Sequence, residues 1–190
     1  MTRDTITIVS GLPRSGTSMM MKMLAAGGLE PLTDNIRSAD ADNPAGYFEF
    51  EKVKQIEKDS SWLEDARGRV VKLISGLIKH LPPCYDYKVI FMQRNMAEIL
   101  ASQRQMLIRR SEAVDTVSDE RMAEMFNRHV AHVEAWLARQ TNIDVLYVSY
   151  NGVMADPRPH VGLINRFLGD SLNIEEMLRV ADKTLYRQKR

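Results

Sequence analysis

A glycine-containing segment near the amino end, residues 11–18, carries the residues best suited to chemistry. It follows a β-branched run at residues 5–9 and leads into residues 19–26, which have helix-forming composition. A strand, a glycine-rich turn and a helix start in that order direct backbone N–H groups and the positive end of a helix dipole at one point. The segment is therefore predicted to bind phosphate or a similar anion.

The residue types in this segment distinguish between two chemistries. Gly11 and Gly16 have the spacing of the nucleoside-triphosphate loop Gly-x4-Gly-Lys-Ser/Thr, but Thr17 stands where that loop has lysine. The basic residue lies inside the loop instead, at Arg14. An enzyme that acts on ATP needs the lysine, and it usually needs an acidic residue at a strand end to hold magnesium.

The predicted strand ends carry cations instead of carboxylates. Lys72 and Arg94 belong to two of them, and the last strand closes at Ser149 and Tyr150. Sulfuryl transfer suits such a site, because the transferred group carries less negative charge than a phosphoryl group and cations with backbone amides can replace magnesium. The residues favour a sulfate donor over ATP and predict no metal site. A small P-loop metabolite kinase is the alternative that shares length, fold class and loop spacing.

Short apolar runs alternate with longer helical stretches along the chain. The runs, typical of parallel strands covered on both faces, are residues 5–9, 69–74, 88–92 and 144–149. Helices are predicted at residues 96–110, 119–140 and 157–168. Gly169 ends the last of these, and a short helix begins at Asn173 with Glu176 as its capping-box partner. The alternation predicts an α/β fold, three-layer α/β/α with a central, mainly parallel sheet of the P-loop nucleotide-binding type.

Composition limits the setting and the partners. The 190 residues carry 26 Lys and Arg against 25 Asp and Glu, so no overall field attracts nucleic acid or an anionic membrane. The length predicts a single domain over residues 1–190. One cysteine, Cys84, excludes a disulfide framework and indicates a reducing cytoplasm. No apolar stretch is long enough for a signal peptide or a membrane span.

Three motifs in order resemble those of the sulfotransferases that use 3′-phosphoadenosine 5′-phosphosulfate (PAPS). Residues 13–18, Pro-Arg-Ser-Gly-Thr-Ser, resemble the family's loop that grips the donor's 5′-phosphosulfate. Arg94 and Ser102 resemble its 3′-phosphate pair, and Tyr150 resembles a tyrosine near the adenine. The resemblance implies metal-independent, in-line sulfuryl transfer to a hydroxyl or amine, with 3′,5′-bisphosphoadenosine (PAP) as product.

The resemblance also implies roles for the loop residues. Arg14 would neutralise charge as the sulfur–oxygen bond breaks, which is an electrostatic task. Thr17 and Ser18 would donate hydroxyl hydrogen bonds beside the loop amides of Ser15 and Gly16. At the second motif, the planar fork of an arginine suits a dianionic 3′-phosphate.

The general base that takes the acceptor's proton is not evident from the motifs. Cytosolic relatives use a histidine after a Lys-Thr pair, but no histidine stands two residues after Lys72, and His80 comes eight residues later. Glu49 is the first choice, because its Gly-Tyr-Phe-Glu segment resembles one in bacterial relatives; the alternative is a glutamate at a helix N-terminus. Lys72 either stabilises the leaving phosphosulfate or simply extends from a strand end.

The remaining expectations concern the acceptor and the tail. Residues 29–46 are predicted to form a long irregular loop, either a substrate lid or a surface loop. Arg187 either folds back onto the donor or lies in a solvated basic tail. The acceptor is expected to be a small molecule or a glycan, and the oligomeric state is left open. Because the base is uncertain, a catalytically silent nucleotide-binding protein is the other alternative.

Overall fold

The computed structural model describes residues 5–34, 48–109 and 117–181. Its strands and helices are, in chain order, β1 (Ile6–Gly11), α1 (Thr17–Ala26), β2 (Val70–Lys72), β3 (Tyr87–Gln93), α2 (Met96–Arg109), α3 (Asp119–Leu137), β4 (Ile143–Ser149), α4 (Tyr150–Ala155), α5 (Pro157–Phe167) and α6 (Ile174–Val180). The 3₁₀ segments Glu51–Gln55, Ser61–Ala66 and Ser75–His80 lie before and after β2. None of the described helices is both long and apolar enough to cross a membrane.

The strands of the described residues form one parallel sheet in the order β2-β1-β3-β4. β1 therefore lies inside the sheet, with Gly11 opposite Met92 of β3, and β3 pairs with β4 so that Gln93 lies opposite Ser149. After β1 the next strand in the chain, β2, lies on one side of β1 within the sheet, whereas after β3 the next strand, β4, lies on the opposite side. Ligands of open parallel sheets bind at the carboxyl ends of the strands at such a reversal. The loop after β1 and the residues after β3 and β4 meet at this edge.

Both faces of the sheet are covered, which explains why the strands are continuous apolar runs. Alternate residues of β1 belong to different clusters: Ile6 and Ile8 pack with the 3₁₀ segments and α3, whereas Val9 packs with α1, α4, α5 and α6. The methionine-rich α1 contributes Met20, Met21 and Met23 to this second cluster, so its methionines are core residues. The predicted three-layer architecture with a parallel sheet is confirmed.

The predicted elements are confirmed, with differences at their ends. The strand predicted at residues 69–74 is shorter, Val70–Lys72, and the helix predicted at residues 119–140 ends at Leu137. The short helix α4 and the 3₁₀ segment Ser61–Ala66 were not predicted. Ser149 starts α4 by accepting a hydrogen bond from the Gly152 N–H through its hydroxyl (3.1 Å). Tyr150 is consequently the first residue of a helix instead of the last residue of a strand.

The predicted capping box at α6 forms only in part. The Asn173 side chain accepts from the Glu176 N–H (3.2 Å), as predicted. The Asn173 N–H, however, donates to the carbonyl of Gly27 (2.9 Å), and the Glu176 carboxylate pairs with Arg179. A tertiary hydrogen bond to the end of α1 thus replaces the reciprocal half of the box.

Replacing this cap tests the energetic role of α6. Asn173→Ala is expected to lower the free energy of unfolding by about 1 kcal/mol, because it removes the side-chain acceptor at the helix start. Asn173→Asp is the matched control and should retain most of the stability, since aspartate caps equally well. Urea unfolding measures both, and equal stabilities of the two variants would contradict the prediction.

Candidate functional site

The turn between β1 and α1 requires glycine at two positions. Gly11 and Gly16 have φ angles of 146° and 100°. A Cβ added at Gly11 would lie 2.5 Å from the Ser15 hydroxyl, and one added at Gly16 would lie 2.4 Å from the Tyr150 ring. Arg14 has a φ of 69°, which is uncommon outside glycine and occurs often at functional sites. The turn is therefore held in a specific strained shape.

The start of α1 fits an anion. The helix has no side-chain cap and no acidic residue in its first turn, so its N–H groups and dipole are not offset by a local carboxylate. Ser15 is buried, and its hydroxyl has no hydrogen-bond partner in the described part of the chain. A buried hydroxyl next to a helix N-terminus would be satisfied by a phosphate or sulfate oxygen. The residues present therefore fit the anion predicted for this loop.

The arginines of the first two motifs lie side by side. Arg94 Nη1 donates to the Arg14 carbonyl (3.0 Å), and Arg14 Nε donates to the Ser102 hydroxyl (2.9 Å). The Arg94 guanidinium also covers the Tyr150 ring, with its carbon 4.4 Å from the ring centroid. This distance is favourable for a cation–π contact. The structure thus brings together residues that follow β1, β3 and β4, and places Ser102 against Arg14.

A buried carboxylate that sequence reasoning missed holds Arg94. Glu98 lies in the first turn of α2 and is 1% exposed. Its Oε2 accepts from Arg94 Nε (3.0 Å) and its Oε1 accepts from Asn151 Nδ2 (2.9 Å). Asn151 in turn accepts the Asn95 N–H through its Oδ1 (3.0 Å). The one signal in the sequence was a glutamate four residues after an arginine at a predicted helix start.

A second polar cluster lies where β2 ends. Lys72 Nζ is 3.4 Å from the Ser18 hydroxyl and 3.6 Å from Glu49 Oε1. Both members of this ion pair are sheltered, with 11% of the Lys72 side chain and 27% of the Glu49 side chain exposed. The main-chain carbonyl of Glu49 accepts from the Thr33 hydroxyl (2.8 Å) and the Asp34 N–H (3.2 Å). The carboxylate therefore stands beside the loop as part of an ion pair, not in the first turn of a helix.

The structure does not bring His80 to this cluster. His80 ends a 3₁₀ segment whose continuation leads to the start of β3, where the Pro82 carbonyl accepts from the Tyr87 hydroxyl (3.0 Å). Thr17 is the first residue of α1, beside Ser18. Arg187 and most of the loop predicted at residues 29–46 lie outside the described residues.

The sequence matches a family model described as the sulfotransferase domain over residues 4–190. No protein with curated annotation matches it significantly. Among solved structures, the sulfotransferase domain from the curacin biosynthetic pathway is similar with a TM-score of 0.55 at 12% identity, covering 94% of this chain and 78% of that one.

Two retinol dehydratase structures are also similar. The complex with retinol and PAP has a TM-score of 0.51 at 18% identity, and the complex with androsterone and inactive cofactor PAP has 0.49 at 19%. In each case the match covers 95% of this chain but 64% of the other, so the chain spans slightly less than two thirds of their length. At these identities the likeness of the curacin-pathway domain and of the retinol–PAP complex shows the fold alone, and it agrees with the α/β fold predicted.

A pair of glycine variants separates strain from contact at the turn. Gly16→Ala is expected to cost about 1 to 2 kcal/mol for the left-handed backbone and roughly 1 to 3 kcal/mol more for the overlap with Tyr150. Gly28→Ala is the matched control, because its φ of 99° is similar but no atom lies within 4 Å of the added carbon. Chemical denaturation of both variants measures the difference. If the two costs are equal, the Tyr150 contact does not shape the turn.

Proposed function

This chain belongs to the sulfotransferase family, and we propose that it transfers a sulfuryl group from PAPS to a hydroxyl or amine acceptor. The family expected from the three motifs is thereby confirmed. The observation that carries the proposed activity is the gathering of Arg14, Arg94 and Tyr150 at one sheet edge, beside the Lys72–Glu49 pair. Cations for a bisphosphorylated nucleotide and a carboxylate for an acceptor proton then lie on opposite sides of the same turn.

The proposed donor site uses the two arginines for different phosphates. The turn, with the Ser15 hydroxyl and the first N–H groups of α1, would hold the 5′-phosphosulfate, and Arg14 would offset its charge. Arg94 would bind the 3′-phosphate together with Ser102, whose hydroxyl lies against Arg14, because a guanidinium fork matches two phosphate oxygens. Tyr150 would lie near the adenine. The contacts among these residues support a site assembled before the donor binds.

The proposed chemistry needs a base and a place for charge. When bound, the donor supplies the sulfuryl group. The bond between its sulfur and the 5′-phosphate oxygen breaks, and that oxygen keeps the electron pair, as the acceptor oxygen or nitrogen forms the new bond to sulfur. Glu49 would take the acceptor's proton. Lys72, between the Ser18 hydroxyl and Glu49, would place positive charge where the phosphate leaves. The same lysine would hold the carboxylate against the turn.

The proposal also covers the class of acceptor, the domain organisation and the cellular location. The retinol dehydratase complex contains retinol, and we infer from this that the acceptor of this chain is a small molecule. A glycan acceptor is the alternative that the sequence analysis left open. One sheet covered on both faces supports a single domain over residues 1–190, and the lone Cys84 supports a cytoplasmic location.

Donor binding tests the 3′-phosphate assignment. Titration calorimetry is expected to show PAP binding at least about tenfold more tightly than AMP, since a charge-assisted hydrogen bond contributes about 1.5 to 3 kcal/mol. Arg94→Lys should remove most of this preference, because an ammonium lacks the fork that grips two oxygens. PAP binding no tighter than AMP would overturn the assignment.

Catalysis tests the base. With PAPS and a panel of small hydroxyl and amine acceptors, Glu49→Gln is expected to lower kcat by roughly 10² to 10⁴ while leaving PAP affinity unchanged. His80→Ala is the comparison variant for the other candidate base. If His80→Ala lowers kcat and Glu49→Gln does not, the assignment of Glu49 is wrong. If the wild-type protein binds PAP tightly but sulfates no acceptor, a silent binding protein is supported instead.

The same assay distinguishes sulfuryl transfer from a kinase reaction. Among the described residues, no three His, Cys, Asp or Glu side chains group as metal ligands do. The prediction of a metal-independent reaction is tested by adding a chelator, which should leave the transfer rate unchanged. Magnesium-dependent turnover of ATP would favour the kinase alternative.

A further inference from the structure

We propose that Glu98 and Asn151 form a clamp that orients Arg94 toward the donor's 3′-phosphate. The inference rests on the proposed function, since it concerns how the Arg94 site is built. Neither residue belongs to the positions that the motifs singled out. Both act through Arg94, so they are positioning residues.

Arg94 is held on three sides. Its Nε donates to Glu98, its Nη1 donates to the Arg14 carbonyl, and its flat face lies on the Tyr150 ring. Only 8% of its side chain is exposed. Within the described residues, no hydrogen bond comes from Nη2. A guanidinium that is fixed and sheltered, with donors left over, is suited to an acceptor that arrives from outside.

Charge alone would make Glu98 unfavourable for phosphate binding. A buried carboxylate 3.0 Å from Arg94 Nε offsets part of the positive charge that attracts the phosphate. Its removal should therefore strengthen phosphate binding if attraction were all that mattered. If orientation matters more, its removal should weaken binding. The two explanations predict opposite signs, so one measurement decides between them.

Asn151 fixes which atoms of the clamp face each other. Its Oδ1 accepts from the Asn95 N–H at the start of α2, so its Nδ2 must face Glu98. A carboxylate at position 98 accepts from both Asn151 Nδ2 and Arg94 Nε. A glutamine there would turn its own N–H group toward one of these donors, which leaves a buried donor unsatisfied. The same geometry suggests a repair, in which the carboxylate and the amide exchange places.

The exchange gives a rescue experiment. Glu98→Gln and Asn151→Asp are each expected to weaken PAP binding about tenfold. In the first variant two N–H donors point at each other, and in the second two carboxylates do. The double variant E98Q/N151D restores an acceptor opposite every donor between the two side chains. It should bind PAP within about threefold of the wild-type protein. Titration calorimetry with the full chain measures PAP and, in parallel, AMP.

AMP separates orientation from general damage. Because AMP lacks the 3′-phosphate, its affinity should change less than about twofold in all three variants, which also reports that they are folded. Glu134→Gln is the matched control: it removes a carboxylate that accepts from Gln93 Nε2 at the end of β3, and the PAP preference should not change. Asn151→Ala offers a milder route if Glu98→Gln fails to fold, with an expected loss of about threefold for PAP.

Each contrary result has a defined meaning. Tighter PAP binding by Glu98→Gln, an equal loss for AMP and PAP, or no recovery in the double variant would overturn the clamp. An unchanged PAP affinity in Asn151→Ala would do the same. A wild-type protein without a preference for PAP would overturn the proposed 3′-phosphate site itself, and the clamp with it. If only the clamp is wrong, the wild-type protein prefers PAP over AMP and the variants keep this preference.

Discussion

A sheltered guanidinium at the end of β3 is the constraint on which the site depends. The Arg94 guanidinium is charged, carries several hydrogen-bond donors and is largely buried. Protein or ligand groups must therefore balance its charge and accept its hydrogen bonds. The groups that meet them come from separate parts of the chain: the Glu98 carboxylate from α2, the Arg14 carbonyl from the turn and the Tyr150 ring from α4. Satisfying one arginine therefore aligns all three elements.

The parallel sheet makes this alignment available. With β1 inside the sheet and β4 next to β3, the carboxyl ends of the strands deliver the turn, Arg94 and Tyr150 to one edge. Close approach then depends on the absence of a side chain at Gly16, against which the Tyr150 ring packs. The polar cluster of Lys72, Ser18 and Glu49 lies on the other side of the turn, because β2 pairs with the opposite side of β1.

Local sequence patterns predicted the elements well because their causes are local. The apolar runs identify strands, since buried parallel strands need apolar residues on both faces, and the end of β3 falls just before Arg94. The errors have two sources: a tertiary contact that competes with a local signal, and a local helix cap that the sequence analysis did not identify. At Asn173 the backbone N–H bonds to Gly27 instead of closing a capping box. At Tyr150, which was predicted to close the last strand, a helix begins because the Ser149 hydroxyl caps it.

From the sequence alone came the fold class, the family, and the positions of Arg14 in the turn and of Arg94 and Lys72 at strand ends, because spacing and residue type express them directly. The tertiary structure alone decided which of these touch. It set Glu49 rather than His80 beside Lys72 and put the Glu98 carboxylate under Arg94. Contacts between residues far apart in the chain follow from strand order and helix packing, and no local window of sequence contains that information.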